Sequence, residues 1–191
     1  MIQQSDSVLG RRVSHPILIA ACIAVLGWSI PGLSNAQDLE SLARRVQVLE
    51  DKESIRALIL AYGMAHDNRD YRKFADLFAR EDGEWIGGFG SAKGRVEIFE
   101  LMDQMIGHDP QANGAGTYHV MTNEQIEVDG DRASSLTKWT YYVPDEGGNP
   151  NAIYLGHYDD EFIREDGEWK FLKRETSGLI AAGPPPVDDE E

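Results

Sequence analysis

The feature that most constrains the fold is a change of hydrophobic period near Gly116. Before it, apolar residues recur at spacings of three and four, as on one face of a helix; after it they alternate with polar ones, as on a half-buried strand. From Asp38 the segment DLESLARRVQVLEDKESIRALILAYGMAHD places apolar side chains at 39, 42, 46 and 49, then at 55, 58, 59 and 62. Asp38 is a suitable N-cap, and the stripe changes phase at Glu50-Asp51-Lys52, which predicts a bend between two helices. Shorter helices are expected over 71–78 and about 95–106.

Strands are expected at about 117–128, 133–143, 152–164 and 168–176, with Asp129-Gly130-Asp131 and Asp166-Gly167 as hairpin turns. A shorter strand near 84–87 joins the sheet, and Gly87-Gly88 with Gly90 marks a turn or a bulged strand end. Helices followed by an antiparallel meander define an α+β domain whose curved sheet wraps against the helices. The 191 residues, 41% apolar and 27% charged, suit one domain with a hydrophobic core and exclude a mostly disordered or many-span membrane chain. Asp and Glu number 33 against 18 Lys and Arg, a net charge of -15 that repels phosphate backbones and anionic membrane faces, so no nucleic-acid partner is expected. The one cysteine, Cys22, excludes an intrachain disulfide and a cysteine-cluster metal site.

At the N-terminus, Arg11-Arg12 precedes the apolar run PILIAACIAVLGWSI, then a Pro-Gly break and Ser34-Asn35-Ala36. That is the order of an export signal, and the run is shorter than the ~20 residues a membrane span needs. Residues 1–36 are therefore expected to be removed, leaving a periplasmic or secreted protein with no stable membrane span. Arg11-Arg12 also admits a twin-arginine signal, and Ile19-Ala20-Ala21-Cys22 a lipoprotein box, each with part of its pattern missing. The mature chain then divides into an N-terminal helix over 37–50, a domain over 51–178, and a Pro-rich acidic tail over 179–191 that is expected to be disordered.

Several residues can carry chemistry. His119 stands mid-strand, on the parity of Thr117 and Met121. With a carboxylate on its inner nitrogen it is a general base; bonded to backbone it is a structural histidine. Asp67 closes a helix, where the dipole disfavours negative charge, so it caps, turns the chain or works inside; Asp70 competes with it. Arg164 shares strand parity with Tyr154, Tyr158, Asp160 and Phe162. It either meets an anion in the interior or pairs with Glu161 or Asp166 at the rim. Trp85, Phe89, Met102, Met105, Met121, Trp139, Tyr141, Tyr158 and Phe162 supply large side chains to the core and to an apolar pocket that admits a flat or alicyclic molecule. His157 with Asp159, and His108-Asp109, lack three-ligand metal spacing. No phosphate loop, dinucleotide fingerprint or nucleophile elbow occurs, so neither metal nor cofactor is expected.

Three segments carry a resemblance: IRALILAYGMAHD at 55–67, the H-x-x-T-N opened by His119, and DEFIREDGEWKFLKR at 160–174. Over roughly 45–176 the chain resembles the SnoaL-like group of the NTF2-like superfamily, and within it the hexachlorocyclohexane dehydrochlorinases, scytalone dehydratase and bile-acid dehydratases. The resemblance implies a cone-shaped α+β barrel, with N-terminal helices packed on a strongly curved, mostly antiparallel sheet, and a homo-dimer or homo-trimer built on the open sheet face. It implies that Asp67 and His119 form the catalytic pair and that Arg164 lies near the leaving group. Where the dehydrochlorinases carry a lysine five residues before the aspartate, this chain has Tyr62, whose phenol either protonates a departing hydroxide or only packs in the core. The function expected is a cofactor-independent lyase, a dehydratase or related elimination, acting on a small apolar cyclic substrate. An isomerase moving a double bond with the same base and a non-catalytic periplasmic binding protein are the alternatives.

Overall fold

The computed structural model of the chain describes residues 31–107 and 116–181. Most of the expected export segment, His108-Asp109 and the tail from 182 lie outside the described residues. The chain divides into two units, Met1–Asp38 and Leu39–Glu191; of the first only the start of a helix is described. Among the described residues no helix is long and apolar enough to cross a membrane.

Helix α1 (Pro31–Asp67) is continuous, so the bend expected at 50–52 does not form. No glycine or proline interrupts the helix there, and Gln47 bonds the Asp51 carboxylate while Ser54 bonds the Glu50 carbonyl across that turn. From Ile55 onward one face is buried, through Leu58, Ile59, Tyr62 and Ala65. Helix α2 (Tyr71–Asp76) is capped by the Asp70 carboxylate, which accepts from the Lys73 N–H, and buries Tyr71 and Phe74. Strands β1 (Glu84–Gly87) and β2 (Gly90–Lys93) form a hairpin where the glycines cluster, and α3 (Gly94–Ile106) buries Ile98 and Met102. Strands β3 (Tyr118–Asp129), β4 (Arg132–Pro144), β5 (Pro150–Glu165) and β6 (Glu168–Ala181) follow the expected meander. Asp166 and Gly167 turn the last hairpin with φ of 52° and 85°, a left-handed pair that tightens a two-residue loop.

The sheet corrects the expected cone-shaped barrel. Its six strands run in the order β2-β1-β6-β5-β4-β3, with β2 and β3 as unjoined edges, so it is open and neither closed nor strongly curled. It is also mixed, because β1 pairs with β6 in parallel while the other pairs are antiparallel. The physical reason is length. Closure needs β2 to pair with β3, and a strand of four residues cannot line a stave of twelve. A period of two reports which side of a strand is buried and is silent on whether the sheet's edges meet. The core lies between the sheet and the helices, filled by Phe74, Phe78, Phe162 and Phe171.

Candidate active site

The last turns of α1 cross β3 closely because residue 63 is glycine. A Cβ there would stand 2.9 Å from the Met121 terminal methyl and 3.4 Å from the His119 Cβ. One turn further on, the Asp67 carboxylate reaches the start of β3 and is held at three points by Thr117 and His119. Its Oδ1 lies 2.6 Å from His119 Nδ1 and accepts from the Thr117 hydroxyl at 3.3 Å; its Oδ2 accepts from the His119 backbone N–H at 2.9 Å. These donors offset the unfavourable helix dipole. A carboxylate only accepts, so Nδ1 carries a ring proton; in the neutral ring that leaves the lone pair on Nε2, the tautomer a general base needs.

The His119 side chain is largely buried, its ring centroid 4.6 Å from both His66 and Tyr141. His66 escaped the sequence reading, although its signal was there: positions 55, 59, 62 and 66 share one helix face. Its Nδ1 is buried without a hydrogen-bond partner. Burial, then the neighbouring His119 and Arg69, push its pKa well below the usual 6.5. Arg69 follows the helix in a left-handed conformation, φ 56°, and is itself buried, donating to the Tyr71 hydroxyl at 3.2 Å. Burial alone would lower its pKa, but Tyr71 and Tyr141 hold it above the ordinary value. His66, Asp67 and His119 also offer ligand atoms that all lie within 4.8 Å of one another, so the three could reach a single cation. Nothing in their spacing along the sequence announces that triple.

His66 makes stability depend on pH. In the unfolded chain it takes up a proton below about 6.5, whereas in the fold it resists protonation. The unfolded state therefore binds more protons there, and stability is lost as pH falls from 6.5 toward the folded value. His66→Phe is expected to remove this contribution, up to about 1.4 kcal/mol per pH unit. Urea unfolding at pH 7.5 and 5.5 checks it: the wild type should lose more stability between the two than the variant.

Tyr62 lies on the same buried face of α1, its hydroxyl accepting from Trp85 Nε1 at 2.9 Å. Burial raises the phenol pKa, an effect that Arg174 and the Trp85 bond partly offset. Arg174, on β6, was also missed. Its guanidinium sits 4.1 Å from the Tyr62 and Tyr158 rings and 4.2 Å from Phe171. It pairs with Asp160 through two bonds of 2.7 Å, both side chains fully buried, and Ser135 donates to the same carboxylate. The clue was an acid and an arginine on opposite sides of one hairpin.

Arg164 is brought to other partners. It donates to Asp51 at 2.6 Å and Asp131 at 3.1 Å and lies over the Trp169 ring, whose Nε1 also bonds Asp51. These contacts tie α1 to the end of the sheet, with acids different from the Glu161 or Asp166 considered above. Trp85, Met102, Tyr158 and Phe162 are buried in the core; Met121 and Tyr141 are partly buried against it. Phe89 and Met105 are exposed.

The α+β domain with this sheet order shares its fold with solved NTF2-like proteins. The SnoaL-like domain family matches residues 47–175, and the chain belongs to that family. A crystal structure of an NTF2-like protein with a cystatin-like fold from Novosphingobium aromaticivorans is 30% identical, covers 75% of this chain and 92% of its own, and superposes with a TM-score of 0.66. LinA is 26% identical over 78% of this chain and 99% of its own, with a TM-score of 0.56. A protein of N. aromaticivorans proposed to be a scytalone dehydratase shares the fold, at 23% identity over 75% of this chain and 97% of its own, with a TM-score of 0.58. Among curated proteins none matches the chain.

Proposed function

We propose that the protein is a cofactor-independent lyase of dehydratase type, acting on a small apolar cyclic alcohol. The observation that carries this reading is the 2.6 Å contact between Asp67 and His119 Nδ1, in a carboxylate also pinned by the His119 backbone. His119 Nε2 takes the proton from carbon, and the electron pair of the broken C–H bond becomes the second bond of the alkene. The C–O bond breaks toward oxygen, and the departing hydroxide is protonated to water. Asp67 stabilises the imidazolium until it releases its proton.

Tyr62 is the acid in this scheme. Its oxygen already accepts from Trp85, which leaves its own proton to give, and the Arg174 cation against the ring stabilises the phenolate that results. Tyr62 and His119 both neighbour the His66 ring, at 6.5 and 4.6 Å between centroids. The scheme assigns no step to Arg164, whose guanidinium is paired with Asp51 and Asp131.

A thermal-shift screen of small cyclic alcohols should reveal ligands that raise the melting temperature, and mass spectrometry should then show loss of water from at least one. Tyr62→Phe, which keeps the ring, is expected to lower kcat on that alcohol by about 10²-fold to 10⁴-fold, the usual contribution of a general acid. An unchanged kcat would remove Tyr62 as the acid. A product of unchanged mass would replace elimination by isomerisation.

A further inference from the structure

The outward face of α1 carries an apolar stripe that is bare among the described residues. Leu39, Leu42, Val46 and Leu49 are all exposed, Leu39 and Leu49 by 67%. The core-facing set of Ile55, Leu58, Ile59 and Tyr62 lies on nearly the opposite side of the helix, roughly 165° round at 100° per residue. Because α1 runs unbroken between the two sets, the phase change at 50–52 marks a change of partner. Leu60 and Met64, 54% and 65% exposed, continue the outward line beyond the Glu53–Arg56 ion pair. A row of large apolar side chains along one face of a helix is the mark of a surface that is covered in the working molecule.

We propose that this face pairs with the same face of a second copy of the chain, as a parallel two-stranded coiled coil over residues 39–52. The spacing sets Leu39 and Val46 at a positions and Leu42 and Leu49 at d positions of two heptads. A β-branched residue at an a position with leucine at both d positions suits a two-stranded parallel seam. The charges choose both the occupant and the direction. Arg45 and Lys52 fall on the g flank and Glu50 on the e flank. In a parallel pair each Arg45 faces Glu50 of the other copy, twice over by symmetry; an antiparallel pair sets the basic flank against itself. Glu53, at the next a position, ends the seam. Two heptads are few for a free peptide, but this helix grows out of a folded domain, so its nucleation has already been met.

Sedimentation equilibrium of the full chain is expected to give twice the 21.3 kDa chain mass. Leu42→Glu with Leu49→Glu should raise the dimer dissociation constant by at least ~100-fold, with the circular dichroism and melting temperature of the monomer intact because both positions are exposed. Arg45→Glu should weaken the dimer, and adding Glu50→Arg should restore it. In a Cys22→Ser background, Leu42→Cys and Leu49→Cys should each cross-link on oxidation, since only parallel, in-register helices bring both positions beside their own copies. A monomeric wild type overturns the proposal. So does a dimer that survives both glutamates, a trimer, or failure of either cysteine to cross-link.

Discussion

His119→Ala is expected to lower kcat by about 10³-fold to 10⁴-fold, the upper end of what a general base contributes, because His119 is the base hydrogen-bonded to Asp67. Asp67→Asn should be nearly as damaging, for a reason visible in the geometry. Both carboxylate oxygens accept hydrogen bonds, one from the His119 ring and one from its backbone N–H. An asparagine has one acceptor oxygen. The backbone N–H cannot become an acceptor, so it claims that oxygen and the amide NH₂ is left facing Nδ1. The ring then turns acceptor at Nδ1 and carries its proton on Nε2, the tautomer that cannot take a proton from substrate. Kinetics on the alcohol identified by thermal shift check both variants. A His119→Ala enzyme with wild-type kcat contradicts the mechanism; an Asp67→Asn enzyme with wild-type kcat contradicts the role of the carboxylate.

The second large effect is on stability and falls on Asp160 and Arg174. Both side chains are fully buried, so removing either leaves an unpaired charge in the core. Asp160→Ala is expected to cost about 3–5 kcal/mol, and Arg174→Met a similar amount through the stranded carboxylate and the lost stacking on Tyr62, Tyr158 and Phe171. The double variant Asp160→Leu with Arg174→Met should be far milder than the sum, since it strands no charge and fills the volume. Urea unfolding of the three proteins decides the matter. Additive losses would mean that the two residues act separately and that the buried pair is not what holds β5 against β6 beneath the site.

The helices and the meander were legible because the period of their apolar residues follows directly from backbone geometry. The hairpin turn at Asp166-Gly167 was legible because few residues adopt a positive φ. Sheet closure was not, since neither the lengths of the edge strands nor the parallel pairing of β1 with β6 leaves a periodic trace. The phase change at Glu50-Lys52 was read correctly as a break in the stripe and wrongly as a break in the helix; a sequence shows where a face ends before it shows what the next face meets. Asp67 and His119 are 52 residues apart, and local pattern could assign each only several meanings. The resemblance to the SnoaL-like group supplied the pairing. His66 and Arg174 were missed because a buried histidine on a helix and a buried arginine on a strand look like any other interruption of an apolar face until their partners are known.

In the proposed mechanism Asp67 holds neutral His119 with its proton on Nδ1 and a free lone pair on Nε2. Long-range ¹H–¹⁵N correlation spectroscopy of the histidine rings, in wild type and Asp67→Asn at mildly alkaline pH, reads that directly. The expected wild-type spectrum shows a protonated Nδ1 and an unprotonated Nε2 for His119, with the two exchanged in Asp67→Asn. A wild-type neutral His119 carrying its proton on Nε2, or a tautomer that does not respond to the substitution, would contradict this role of Asp67.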